Sequence, residues 1–174
     1  MSDRNDDIAI RGARVADVPV MADLINDAAE HEKMLHRSLS ELYERLRGFR
    51  VADRDGEVVG VVGLRVMWAN LAELYALVVG QAARGHGVGR RLVEAALGEA
   101  ERLGVRRVFA LTYEQAFFEK CGFSVIDRFK LPAKVWSECQ RCPKRLACDE
   151  IAMDCVLEHV PDVSPKMPEE EPEY

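Results

Sequence analysis

Arg84-Gly85-His86-Gly87-Val88-Gly89 lies where an apolar run over residues 73–79 gives way to an amphipathic stretch over 87–103. That order predicts a strand, a tight turn and a helix. Glycine reaches positive φ without steric cost and carries no Cβ to hold a ligand off. Successive N–H groups can therefore converge on one anion at the positive end of the helix. The turn reads as a phosphate cradle, with a ligand-free glycine connector as the alternative. Two common cradles do not fit. A dinucleotide fingerprint needs Gly-x-Gly-x-x-Gly, whereas glycines 85, 87 and 89 are evenly spaced by two. A P-loop needs Gly-Lys-Ser/Thr, whereas Gly89 is followed by Arg90-Arg91.

Downstream of the turn, Val88, Leu92, Val93, Ala96, Leu97, Ala100 and Leu103 keep a helical period, and Gly104 is a C′ stop. Residues 108–111 then predict a short buried strand, 114–121 a helix ended by Gly122, and 123–126 a strand. An irregular stretch over 131–147 precedes a last strand over 151–157. Upstream, 8–11 reads as a strand, followed by a helix with Asp17 as N-cap, Pro19 in its first turn and an end near Ala29. Residues 31–37 form a polar, basic connector. Ser38-Leu-Ser-Glu41 is a capping box that opens a second helix, with Leu39, Leu42, Tyr43 and Leu46 on one face. Strands over 49–52 and 57–66 join through Asp55-Gly56, a hairpin signal, and another strand covers 72–79. The sum is a mixed α/β domain: two helices, an antiparallel meander, then strand, helix, strand, helix, strand.

A length of 174 residues suits one domain, expected over 1–160. Residues 161–174 carry five acids, one base and four prolines, which predicts a disordered acidic tail. That tail holds −4 of the net charge of −6, so the body is nearly balanced and offers no general nucleic-acid surface. The longest apolar run, 58–64, is strand-sized, so no membrane span is expected. The polar N-terminus lacks the features of a signal peptide, and five cysteines are an odd number. Both point to a reducing cytoplasm.

The spacing Arg84-x-x-Gly87-x-Gly89 resembles the pyrophosphate loop of the GNAT family of N-acetyltransferases. Leu77-x-Val79 precedes it and Phe118-Glu-Lys-Cys-Gly-Phe123 follows it at that family's usual places, so the likeness runs from about residue 8 to 126. The resemblance implies a mostly antiparallel central sheet flanked by helices, with two strands splayed apart at an acetyl-CoA site. Backbone groups of Leu77 and Val79 would pair with the pantetheine arm. N–H groups of Arg84, Gly85, Gly87, Val88 and Gly89 would hold the pyrophosphate, with charge from Arg84 or Arg90. Acetyl transfer to an amine needs a base, because an α-amino group of pKa about 8 is mostly protonated at neutral pH. Glu73 is the candidate, as the only acid in the run 71–79; its alternative is a solvent-facing place at a strand start. Many GNAT enzymes protonate the leaving thiolate with a tyrosine where this chain has Phe118. Thr112 or Tyr113 would then take that role, or the thiolate leaves without a dedicated acid.

Met34-Leu-His-Arg-Ser38, Ala72-Glu-Leu74, Phe109-Ala-Leu-Thr112 and Leu131-Pro132 are similar, in this order, to segments of bacterial N-acetylglutamate synthases, the enzymes that open arginine biosynthesis. The short, stand-alone form without a kinase domain is the one resembled. The resemblance implies L-glutamate as acceptor, Glu73 as base and Arg37 on a substrate carboxylate. Lys134, Arg141 and Lys144 are the further candidates, although the spacing after Pro132 departs from the family's. Two carboxylates call for at least two placed cations, ideally one a planar guanidinium. A polyamine acceptor would instead demand acids in 31–37. Another small amine, or a non-catalytic acetyl-CoA sensor, are the competing readings, and a homodimer is the candidate assembly. His31 and His36 receive no catalytic role.

Cys139-x-x-Cys142, Cys148 and Cys155 lie outside what this reading requires. Four thiolates would suit a tetrahedral zinc site, but the second pair is no Cys-x-x-Cys knuckle and Cys155 falls within the last strand. The cysteines are therefore read as reduced and unpaired, and no metal is assigned.

Overall fold

A computed structural model of the chain describes residues 7–31, 34–144 and 147–165. Seven strands form one sheet in the order β1-β2-β3-β4-β5-β7-β6. They are β1 (Ile8–Gly12), β2 (Phe49–Arg54), β3 (Glu57–Trp68), β4 (Leu71–Val79), β5 (Arg107–Thr112), β6 (Ser124–Val125) and β7 (Ile151–Val156). Every neighbouring pair is antiparallel except β4 and β5. Asp55 and Gly56 both take positive φ, as the tight β2–β3 hairpin requires.

Helices α1 (Val18–Glu30) and α2 (Leu39–Glu44) cover one face of the sheet, where Val18, Met21, Ile25 and Leu42 pack on Phe49, Val51 and Val61. Helices α3 (Val88–Arg102) and α4 (Gln115–Lys120) cover the other, where Leu92, Val93 and Ala96 meet Val62, Leu64 and Leu74. Residues 58–64 of β3 are buried without a break because both faces are covered there, which is why that stretch runs rather than alternates. A third, smaller core joins Leu71, Phe109 and Ala152 to Leu131 and Val135, and it fastens the segment before β7 onto the sheet.

The capping box forms as its residues demand: the Glu41 amide donates to Ser38 Oγ at 3.2 Å and the Ser38 amide to Glu41 Oε2 at 2.9 Å. Three details differ from the sequence reading. Asp17 takes the N-cap position of α1 as expected but makes no side-chain capping bond to it; its carboxylate accepts from the Arg14 amide and from Arg11 instead. The strand expected over 123–126 shrinks to Ser124–Val125, because Phe123 turns into the core beside Phe118. Within the stretch expected to be irregular, Ala133–Arg141 winds as a 3₁₀ helix, too short in period for an α-helical pattern to reveal it. The acidic tail lies outside the described residues from 166 onward. Among the described residues, no helix is long and apolar enough to cross a membrane.

Candidate active site

Strands β4 and β5 pair in parallel only over Leu71–Arg107, Ala72–Val108 and Glu73–Phe109. Beyond Glu73 they part. The cause is local: between Tyr75 and Val78, β4 spans one residue more than β3 does, and Ala76 at φ 50 takes up the extra length. The bulge turns β4 away while β5 continues alongside β7 to Thr112. The gap is a cavity of about 1190 Å³ that reaches from Arg37, Arg65 and Glu73 at one end to Val79, Arg84 and Gly89 at the other.

At the second end the glycine turn has the conformation its sequence implies. Gly85 and Gly87 have φ of 78° and 74°, and a Cβ on either would meet nothing within 4 Å. The first amide of α3 with a helical acceptor is that of Arg91, on the Gly87 carbonyl at 3.1 Å, so the amides of Val88, Gly89 and Arg90 precede the helical ladder. Open space before three such donors at a helix N-terminus fits an anion. The side chains around them are less free. Arg84 Nε donates to the Val79 carbonyl at 2.9 Å, Arg90 pairs with Glu94, and Val88 is buried in the core. Gly89 packs on the Phe117 ring, which a Cβ would touch at 3.3 Å.

The first end is a cluster of charge. Glu73 is only 8 % exposed, and the β3–β4 register sets Arg65 directly opposite, with Arg65 Nε 2.6 Å from Glu73 Oε2. Burial raises the Glu73 carboxyl above its ordinary value, against the pull of Arg65 and Arg37, and Glu138 pushes it further up by repulsion. Glu138 comes from the 3₁₀ winding and meets three guanidinium groups. Its two oxygens face the fork of Arg37, with Nη1 to Oε1 at 3.2 Å and Nη2 to Oε2 at 3.1 Å. Arg45 Nη1 lies 2.9 Å from Oε1, and Arg65 Nη1 binds the same oxygen. Hydrogen bonds from these arginines hold Glu138 far below the usual carboxylate range despite its burial. Arg37 and Arg65 both lie over the Tyr75 ring, at 5.0 and 5.1 Å from its centroid. Arg37, 7 % exposed, leaves its Nε buried without a hydrogen-bond partner. The buried Tyr75 hydroxyl, though near enough to Arg45 to feel its charge, makes no hydrogen bond of good geometry either.

The remaining wall carries Thr112, Tyr113, Lys144, Glu150 and the cysteines. Thr112 Oγ1 accepts from the Glu114 amide at 2.9 Å, so it fixes the turn into α4 while its own proton remains available. Tyr113 is bonded to Asp149, and burial with these acids raises its hydroxyl above the usual value, making it a poor proton donor. Lys144 sits over the Tyr113 ring at 5.4 Å, in the field of Asp149 and Glu150 rather than beside Arg37. Burial also raises Glu150, a cavity acid that the sequence reading did not single out. Cys139, Cys142 and Cys148 share the cavity, whereas Cys155 lies on β7; all are free, and no group of three metal-binding side chains assembles among the described residues. Phe118 is buried edge-to-face with Phe117 and Phe123.

Among the residues expected from sequence, Glu73, Thr112, Leu77, Val79, Arg84, Gly89, Arg37 and Lys144 border this one cavity, while Gly85, Gly87, Val88 and Arg90 lie at the turn beyond its wall. The side chains of Lys134 and Arg141 fall outside the described residues. Sequence reading missed Arg45, Arg65, Tyr75 and Glu138. Arg65 carried a signal, as the only charged residue between 58 and 68.

Residues 19–123, more than half of the chain, match the model of the acetyltransferase (GNAT) family. An uncharacterised N-acetyltransferase of Chlorobaculum tepidum is 40 % identical over 147 residues, which cover 84 % of this chain and 95 % of that protein. An amino-acid acetyltransferase of Mycobacterium tuberculosis is 37 % identical over 132 residues, covering 74 % of this chain and 75 % of the relative. The crystal structure of N-acetylglutamate synthase from Neisseria gonorrhoeae, complexed with coenzyme A and N-acetyl-glutamate, superposes with a TM-score of 0.78 at 26 % identity, over 86 % of this chain and 35 % of that one. A splayed β4–β5 pair beside a glycine turn, and sequence likeness of this extent, have one common explanation: the chain belongs to the GNAT family of acetyltransferases.

Proposed function

We propose that this N-acetyltransferase moves the acetyl group of acetyl-CoA directly onto the α-amino group of L-glutamate, the opening step of arginine biosynthesis. The observation that carries the reading is the pair of arginines, Arg37 and Arg65, beside Glu73 within one cavity with the glycine turn, with Arg45 joined to them through Glu138. An acceptor with carboxylates finds cations there, and its amine finds a carboxylate with raised proton affinity. The crystallised N-acetylglutamate synthase and the amino-acid acetyltransferase relative favour the same acceptor class.

In this mechanism the amides of residues 88–90 and the open glycine turn hold the pyrophosphate. The free edge of β4 past Glu73 receives the pantetheine arm. Glu73 takes a proton from the acceptor ammonium; the amine lone pair then attacks the thioester carbonyl, the C–S bond breaks, and the second proton that the nitrogen sheds in becoming an amide balances the one the departing thiolate takes up. The Thr112 hydroxyl on the cavity wall is the group left to give that thiolate a proton, since Phe118 cannot and Tyr113 is held by Asp149. Arg65, paired with Glu73, keeps the base from being protonated permanently by its buried surroundings.

Thiol release from acetyl-CoA across a panel of amino acids tests the reading, with wild type, Glu73→Gln and Arg37→Ala compared. Glutamate-dependent release is expected, reduced about 10²–10⁴-fold by Glu73→Gln, and with a raised glutamate KM in Arg37→Ala. Release that ignores glutamate, or an unaffected Arg37→Ala, would overturn the acceptor. Binding of acetyl-CoA with no amine consumed would favour a sensor.

A further inference from the structure

We propose that Glu138 is a tethered competitor of the acceptor, a carboxylate of the chain's own that fills the arginine socket and must leave it before an acceptor carboxylate can enter. This rests on the acceptor being a carboxylate, as argued above. Three facts of geometry support it. Glu138 faces both terminal nitrogens of the Arg37 fork while also taking Arg45 and Arg65, so the bidentate position a free carboxylate would seek is already filled. The socket is built around something other than Glu138 alone, because Arg37 Nε stays buried and unsatisfied with Glu138 in place. The route out is short: the Glu138 side chain lines the cavity, is 15 % exposed, and projects from a nine-residue 3₁₀ winding whose hydrogen bonds are weaker than those of an α-helix.

Charge makes the exchange selective. The three arginines face two carboxylates, Glu73 and Glu138, so swapping Glu138 for an acceptor carboxylate leaves the cluster's charge unchanged. A neutral acceptor group could not replace it on equal terms, since the arginines would lose one anion without gaining another. Glu138 thus sets both how tightly an acceptor binds and which acceptors can compete.

Glutarate, a dicarboxylate with no amine to acetylate, is the probe. Calorimetric titration of wild type and Glu138→Gln should show glutarate binding at least tenfold tighter to the variant, with the glutamate KM lowered in step. Equal or weaker binding to Glu138→Gln would overturn the proposal, because a purely structural Glu138 would loosen the socket when removed. Should that variant fail to fold, Trp68→Phe leaves Trp136, on the same winding and stacked by Arg128, as the only tryptophan. Saturating glutarate should then change its emission as Glu138 departs; binding seen by calorimetry with unchanged emission would overturn the proposal. If glutarate binds as expected but no dicarboxylic amino acid is acetylated, the glutamate reading fails and the tethered competitor stands.

Discussion

Replacing Arg65 with Met keeps most of the side chain's length and removes its charge from beside Glu73. Two unit charges about 4 Å apart at an effective dielectric constant near 20 interact by about 4 kcal/mol, or about three pK units. Arg37 still faces Glu73 after the change, and Glu138 still repels it, so the expected upward shift of the Glu73 carboxyl is about one to three units. A base works only when deprotonated. The acidic limb of kcat/KM for thiol release should therefore move to higher pH by that amount. Arg65→Lys, which restores a cation, should return the limb most of the way. Glu138→Gln should move it the other way, because it removes a negative neighbour of Glu73. A limb unmoved in Arg65→Met, or one that persists unchanged in Glu73→Gln, would show that the titrating group is not Glu73.

Gly63→Ala would put a methyl group 2.8 Å from the Tyr75 ring and 2.9 Å from Phe49; a loss of about 1–3 kcal/mol should appear as a lower melting temperature, together with a raised acceptor KM as Tyr75 shifts under Arg37 and Arg65. Gly87→Ala forces a side-chain residue to φ 74°, so the KM for acetyl-CoA should rise several-fold at a cost of about 1 kcal/mol in stability, whereas Gly98→Ala, inside α3 with only ordinary contacts, should stabilise by about 0.5–1 kcal/mol; steady-state kinetics and thermal melts separate the two. Glu138 has a depressed carboxyl, so its contribution to stability is complete above the unfolded value of about 4.3 and is lost as pH falls through the folded value. The melting temperature of wild type should exceed that of Glu138→Gln by a constant margin above about pH 5.5, narrowing progressively below about pH 4.3; a margin still at its full value at pH 3 would refute the assignment.

The glycine turn and the capping box were legible from sequence because their information is local. Glycines at 85 and 87, the helical period after them and the capping box at Ser38 each act within a few residues, and each forms as read. Glu73 was legible for a related reason, as one acid within an apolar run. The arginine cluster was not, because its residues meet only through long-range register. A simple hairpin around residues 69 and 70, keeping the Trp68–Leu71 pairing, would set Val66 across from Glu73. A bulge between Val66 and Trp68 moves Arg65 there instead. Glu138 had no signal at all, sitting in a stretch without period, more than seventy positions from Arg65 and a hundred from Arg37. The basic residues expected to bind substrate beyond Pro132 were sought by proximity to a motif, whereas the socket draws two of its arginines from α2's end and β3.

Three paired residues join β4 to β5, and Glu73 is the last of them. Past that join β4 stays paired with β3 as far as Val79, so its bare edge is held by a neighbour on the other side. From Glu73 to Val79 that edge runs about 20 Å at about 3.3 Å per residue. A long, extended ligand laid along it would meet a rail fixed along its length, with the Glu73 carboxylate marking the point where the rail closes onto β5.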